Sequence, residues 1–238
     1  MTRRAQVERI VGVVALATGV VAVWLGLLVA PEDAVQGQVQ RLLYVHVPAA
    51  WVAYVAFAWV LIASVAYLLG RDLAWDRRAR VGAELGVGLT ALAIVLGSVW
   101  ARPVWGVWWT WDARLVTTVV LLLSYVGYLG VRGLSGDPDV TARRAAVVGV
   151  LAFVNVPIVH FSVLWWRTLH QPPTVLQPAP APMDPTMLAT LLVGVAAFSL
   201  AALWVGLRRT RILAAAAPPV AAPLGASGPI RVAAGGQR

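Results

Sequence analysis

The chain contains no cysteine and no lysine, and only 12% of its 238 residues are charged. Without cysteine there are no disulfides, no thiolate-ligated iron–sulfur clusters and no C-x-x-C-H site for covalent haem attachment. Without lysine there is no Walker A lysine, so nucleotide hydrolysis cannot be assigned to this chain and any use of ATP falls to a partner. Nor does the sequence show an internal repeat of the kind that marks two symmetry-related halves of a secondary transporter. The expectation is a protein that is not an enzyme and has no ATPase site of its own.

What is present is apolar. Sixty per cent of the residues are hydrophobic, in runs too long for the helices of a water-soluble core. Six segments, about residues 10–30, 46–69, 81–100, 116–135, 145–163 and 187–207, each suffice to cross a hydrocarbon core roughly 30 Å thick as a helix of about 20 residues. The first follows Arg3, Arg4 and Arg9, yet its apolar run exceeds the ~7–15 residues of a signal-peptide core and lacks a clear small-x-small cleavage site, so it reads as a retained helix. The fold class expected is an all-α integral membrane protein with six transmembrane helices, one membrane domain over residues 1–211. Residues 212–238, rich in Ala, Pro and Gly, read as a disordered cytoplasmic tail.

Arginine placement sets the expected orientation. Arg3, Arg4, Arg9, Arg71, Arg77, Arg78, Arg80, Arg132, Arg143, Arg144, Arg208, Arg209, Arg211, Arg231 and Arg238 fall on one side, and only Arg41, Arg102, Arg114 and Arg167 on the other. The positive-inside rule then places both termini in the cytoplasm. The net charge of +9 is explained by this topology and by anionic lipid headgroups, with no nucleic acid invoked. Three outward loops follow, about residues 31–45, 101–115 and 161–186.

Those loops hold the residues with chemistry to offer. His46, His160 and His170 all lie in or beside them. Five of the twelve tryptophans fall between residues 100 and 111, denser than an interfacial aromatic belt requires. If the segment, a loop of about residues 100–116, is helical in part, Trp105, Trp108, Trp109 and Asp112 share one stripe, with Gly106 leaving room for close approach, a pattern that an amphipathic helix in the outer interface would have. Such a surface offers a plane to a flat apolar ligand, and Arg102 and Arg114 could meet ligand carboxylates bidentately.

The histidines suit iron. Pro48 fits the first turn of a helix, which puts His46 at the outer mouth of the second span. His160 and His170 would stand about 15 Å apart on a continuous helix, too far for both to bind one iron from the same face. A two-histidine site therefore pairs His46 with one of them. His170, just before Gln171-Pro172-Pro173, lies at a helix end or loop start, where its imidazole can swing; His160 reads as more buried, a supporting or structural group. A flat ligand, two outward imidazoles and nearby guanidiniums describe bis-imidazole haem with its propionates at an aqueous edge.

The stretch Trp105-Gly106-Val107-Trp108-Trp109-Thr110-Trp111-Asp112-Ala113-Arg114-Leu115 resembles the tryptophan-rich WWD signature of the haem-handling membrane proteins of cytochrome c maturation. Tyr44-Val45-His46-Val47-Pro48-Ala49-Ala50, with Val159-His160-Phe161-Ser162-Val163 and Trp165-Trp166-Arg167-Thr168-Leu169-His170-Gln171, resembles the CcmC family. The likeness runs over about residues 10–207. It implies a multi-pass protein of the bacterial cytoplasmic (inner) membrane that presents non-covalent haem b, in transit, from its outer face to a CcmE-like haem chaperone. Its implied partners are CcmA-, CcmB- and CcmD-like subunits of an ABC transporter complex. It also implies axial ligation by His46 and His170, a haem cradle of Trp105, Gly106, Trp108, Trp109, Trp111 and Asp112, and no ligand role for His160. Arg102, Arg114 and Arg167 are candidate contacts to propionates or to the chaperone. Two positions depart from the family pattern: Val116, where threonine is common, and Arg167, where asparagine is common. Two other classes remain open: a membrane b-type cytochrome exchanging electrons with quinone, and a permease or scaffold subunit without haem.

Overall fold

The computed structural model describes residues 3–171 and 183–216. It is helical throughout, with six helical spans long and apolar enough to cross a membrane: 3–29, 38–70, 73–105, 113–133, 138–165 and 185–215. They contain α1 (Arg3–Trp24), α2 (Leu43–Gly70), α3 (Leu73–Trp105), α4 (Ala113–Gly130), α5 (Pro138–Phe153), α6 (Asn155–Trp165) and α7 (Pro185–Ala215). All six segments expected from hydropathy are present. Last in the chain, α7 runs through Ala215, four residues into the stretch read as a tail; residues 217–238 lie outside the described residues.

Four of the ten acids cap helix ends. Asp72, Asp112, Asp137 and Asp184 are the N-caps of α3, α4, α5 and α7, and each carboxylate accepts from backbone amides two or three residues further on. Pro138 and Pro185 follow two of these caps at a position where a missing amide hydrogen costs nothing. Pro48 differs from expectation. The α-helix begins at Leu43, so Pro48 is inside α2, and a proline there cannot donate to the carbonyl of Tyr44. That carbonyl lies against Gly194 of α7, where a Cβ would stand 3.0 Å from it.

The bundle is organised around α2, which packs most extensively on α3 and also meets α5 and α7. Between bilayer-spanning helices, close van der Waals packing does the work that water exclusion does elsewhere, so small residues matter. Phe57 of α2, fully buried, stacks on Tyr125 of α4 with centroids 3.8 Å apart and planes 15° apart. Its other side fills the space left by Gly86 of α3, where a Cβ would meet the ring at 2.3 Å. Val60, Leu121, Tyr128 and Val159 complete this core. By contrast α1 packs mainly on α7, and its remaining apolar side chains are exposed, as suits contact with lipid tails.

Chain direction alternates through the six spans, so the loops before α2, before α4 and after α6 gather at one end. The other end carries the charge pairs: Glu84 accepts from Arg209 Nε at 2.8 Å and from Arg80 Nε at 2.9 Å, and Asp76 pairs with Arg132. Every histidine and the tryptophan segment lie toward the first end.

Candidate functional site

Two boundaries shape the tryptophan segment. Trp105 ends α3 because Gly106 adopts a left-handed conformation (φ 78°) and its amide donates to the Arg102 carbonyl. Six residues later Asp112 caps α4, its carboxylate accepting from the Leu115 amide at 3.0 Å and from the Thr110 hydroxyl at 3.1 Å. Residues 106–112 are therefore an irregular loop, so the shared stripe that a helix would give Trp105, Trp108, Trp109 and Asp112 does not form. A glycine that stops one helix and an aspartate that starts the next outweighed the i, i+3, i+4 pattern between them. Gly106 serves as that stop, and no atom of the chain lies within 4 Å of where its Cβ would be, so the space beside it is open.

A cavity of about 340 Å³ opens beside this loop, within the usual size range of ligand pockets. His46, His160 and His170 all line it, together with Trp51, Tyr54, Trp100, Trp105 and Arg114. A smaller adjoining space of about 90 Å³ shares His46, His170, Tyr54, Trp105 and Arg114 and adds Trp108 and Trp109. The histidines, 124 residues apart at the extremes of sequence, thus meet at one place.

His46 rises from the start of α2 with its ring edge-on to Trp100 at 5.7 Å. His170 stands edge-on to Trp105 at 5.0 Å, and its backbone amide donates to the Thr168 hydroxyl at 3.1 Å. Its Nδ1 is 3.8 Å from the Asp112 carboxylate, beyond hydrogen-bond reach. The Nδ1 atoms of His46 and His170 and the indole nitrogen of Trp109 are buried without hydrogen-bond partners among the described residues. Buried polar atoms are rarely left so, and two imidazoles with unpaired nitrogens at one cavity fit the demands of a metal-centred ligand. The Pro-rich stretch 172–182 that follows His170 lies outside the described residues.

His160 is not more buried than His170, as all three histidines are partly exposed. It is partly exposed, lines the same cavity, and packs edge-on against Trp51, Tyr54 and Phe161. Helix α6 ends at Trp165, so His160 and His170 do not sit on one continuous helix and the 15 Å separation does not apply.

The remaining site residues divide. Arg114 lines both spaces and reaches the His160 carbonyl, 3.4 Å away. Arg102 instead donates to the Gly106 carbonyl and secures the end of α3. Arg167 is exposed and lines neither space, and Trp111, 81% exposed, also lines neither, its ring edge-on to Trp109 at 5.7 Å. Tyr54, Gln36 and Gly97, unassigned in the sequence, are in the walls. Tyr54 was discoverable: His46, Ala50 and Tyr54 recur every four residues on one helix face, and all three line the cavity.

Burial and the nearby Arg114 guanidinium, against a partial offset from Asp112, push the His170 imidazole down to about 4. Burial pushes the Asp112 carboxyl up, but the Leu115 amide, His170 and the hydroxyls of Thr168 and Thr110 together hold it below the usual carboxylate range. His170 is therefore neutral at physiological pH, the form in which imidazole binds metals. Between about 6.5 and about 4 the unfolded chain takes up a proton at this position that the folded chain refuses, so this contribution to stability is full above that window and is lost as pH falls through it. An NMR titration of the ligand-free protein should show His170 still neutral at pH 5; a midpoint near 6.5 would contradict the burial and charge arrangement described.

A multi-pass helical membrane protein with a histidine- and tryptophan-lined cavity at one end of the bundle is the class that this geometry defines. The family model for CcmC, Heme exporter protein C, matches residues 1–217, and the chain belongs to that family. It is 40% identical over 171 residues to Heme exporter protein C of Bradyrhizobium diazoefficiens, covering 72% of this chain and 65% of that protein. Over 156 residues it is 37% identical to a putative cytochrome c biosynthesis ccmC-like mitochondrial protein of Marchantia polymorpha, covering 66% of each. With Heme exporter protein C of Escherichia coli strain K12 it shares 36% identity over 184 residues, 77% of this chain and 74% of that protein. The first two matches span just under two thirds of those relatives' lengths.

Proposed function

We propose that this chain handles haem for cytochrome c maturation, binding haem b non-covalently and in transit at the outer face of the cytoplasmic membrane. The observation that carries the reading is the meeting of His46 and His170, from α2 and from the loop after α6, at one cavity walled by Trp105 and Arg114. These two imidazoles are the residues that would hold the iron. Bound by both, haem would be left with no open site for oxygen chemistry, which suits a carrier. Trp105, Trp108 and Trp109 meet the apolar edge of the porphyrin, and the exposed Trp111 extends that surface outward. Arg114 is the guanidinium placed for a propionate.

Asp112 acts through loop shape and its nearness to His170, and Gly106 and Arg102 fix where the loop begins. Arg167, on the exposed rim, is left for a CcmE-like chaperone that receives the haem. Handover would require one of the two imidazoles to let go, and His170 is the candidate because it lies in a connecting segment rather than in a spanning helix. The arginine-rich end with both termini faces the cytoplasm, where lipid headgroups neutralise it. Having no lysine for a Walker A loop, the chain takes any ATP-driven step from CcmA- and CcmB-like partners, with a CcmD-like subunit alongside.

Hemin titration of the purified chain tests the assignment. A six-coordinate low-spin absorption spectrum is expected at one equivalent; a chain that takes up no hemin, or holds it only high-spin, overturns it.

A further inference from the structure

One glycine in α3 faces an imidazole instead of another helix's core. At Gly97 a Cβ would lie 2.9 Å from Cε1 of His46, 3.5 Å from Nδ1 and 3.9 Å from Nε2, so the ring rests directly on the backbone of α3. Trp100, one turn further along α3, sets its indole edge-on to the same ring at 5.7 Å. That indole is itself pinned, its Nε1 donating at 2.8 Å to Oε1 of Gln36 in the segment between α1 and α2. Gln36, Trp100 and Gly97 all line the larger cavity.

Resting on the haem reading above, we propose that Gly97 is the positioning residue for the His46 imidazole, with Trp100, anchored by Gln36, as its second support. Gly97 supplies the floor that lets the ring approach α3, and Trp100 limits its rotation. Two side-chain torsions alone would leave an imidazole free to sample several rotamers; these contacts select one before any ligand arrives. Preorganisation of a ligand by such surrounding groups typically changes metal affinity by ~10–100-fold. Elsewhere in the bundle small residues pass helix against helix. At Gly86 the neighbour is Phe57 of the packed core, whereas at Gly97 it is the tip of a ring that can turn away. An added methyl here therefore moves the ring without breaking the bundle.

Gly97→Ala and Gly88→Ala make the comparison, because both glycines lie in α3 and no atom stands within 4 Å of a Cβ at position 88. Both gain helix propensity equally. The first readout needs no haem: in protein carrying carbon-13-labelled histidine, the Cε1–H resonance of His46 should move in Gly97→Ala, as the ring shifts relative to the Trp100 indole, and stay in place in Gly88→Ala. The second is hemin titration, in which Gly97→Ala should lose low-spin character and bind roughly tenfold more weakly, with Gly88→Ala like the parent. Trp100→Leu, which leaves the glycine untouched, should shift the hemin spectrum in the same direction. An unchanged His46 resonance in Gly97→Ala overturns the positioning role whatever hemin does. A moved resonance in a chain that takes up no hemin supports positioning and overturns the haem reading instead.

Discussion

Replacing His46 and His170 together by alanine should abolish the low-spin hemin spectrum and weaken hemin binding by at least ~100-fold, while leaving the helical content unchanged. The magnitude follows from the number of bonds removed. Loss of one outer-shell partner of a ligand already costs ~10–100-fold, and this variant removes both proposed iron ligands and leaves only apolar contact with the tryptophans. Neither side chain belongs to the packed core, which lies around Phe57, Leu121 and Tyr125, so the fold has no reason to fail. Each single variant should retain some hemin in a high-spin, five-coordinate form. His160 makes the experiment discriminating, because it lines the same cavity as the proposed pair. His160→Ala should keep the low-spin signal. If that signal instead vanishes with His160→Ala and survives His170→Ala, the pairing is His46 with His160, and the role read from the family motif is wrong.

Phe57→Ala should be the most destabilising single change in the membrane domain, at about 3 kcal/mol or more. The ring is fully buried and stacked on Tyr125, and it occupies the room that Gly86 leaves on α3. Three helices, α2, α3 and α4, therefore meet on one side chain. Removing it leaves a space that none of them can close without moving. In a membrane the lost contacts are chiefly van der Waals ones, because lipid outside is as apolar as the protein inside. Thermal unfolding of the purified protein should shift down by roughly 5–10 °C. Leu123→Ala on α4, where the side chain is 61% exposed, should shift it little. A Phe57→Ala protein as heat-resistant as its parent would show that the stack contributes nothing to holding these helices together.

Hydropathy made the six spans legible because crossing a bilayer demands about 20 apolar residues in a row, a local property. Several helix starts were equally local: Asp137-Pro138 and Asp184-Pro185 each pair a capping carboxylate with a proline in the first turn. The tryptophan loop is bounded by local signals too: Gly106 is a helix stop and Asp112 a helix start, and together they outweigh the helical spacing of Trp105, Trp108 and Trp109. For His160 and His170 the error was to carry one helix through Trp166, where the backbone turns extended.

By itself the sequence determined the number of spans, roughly where each lies, and the end of the bundle to which the histidines and tryptophans go. These follow from composition and from the alternating direction of successive spans. Only the tertiary structure decided that His46, His160 and His170 share one cavity, that Arg114 faces it while Arg102 caps a helix, and that Gly97 lies under the His46 ring. Such relations depend on the rotation and depth at which each helix packs on its neighbours. Those are set by small residues meeting large ones across helices, as Gly86 meets Phe57, and no single segment encodes them alone.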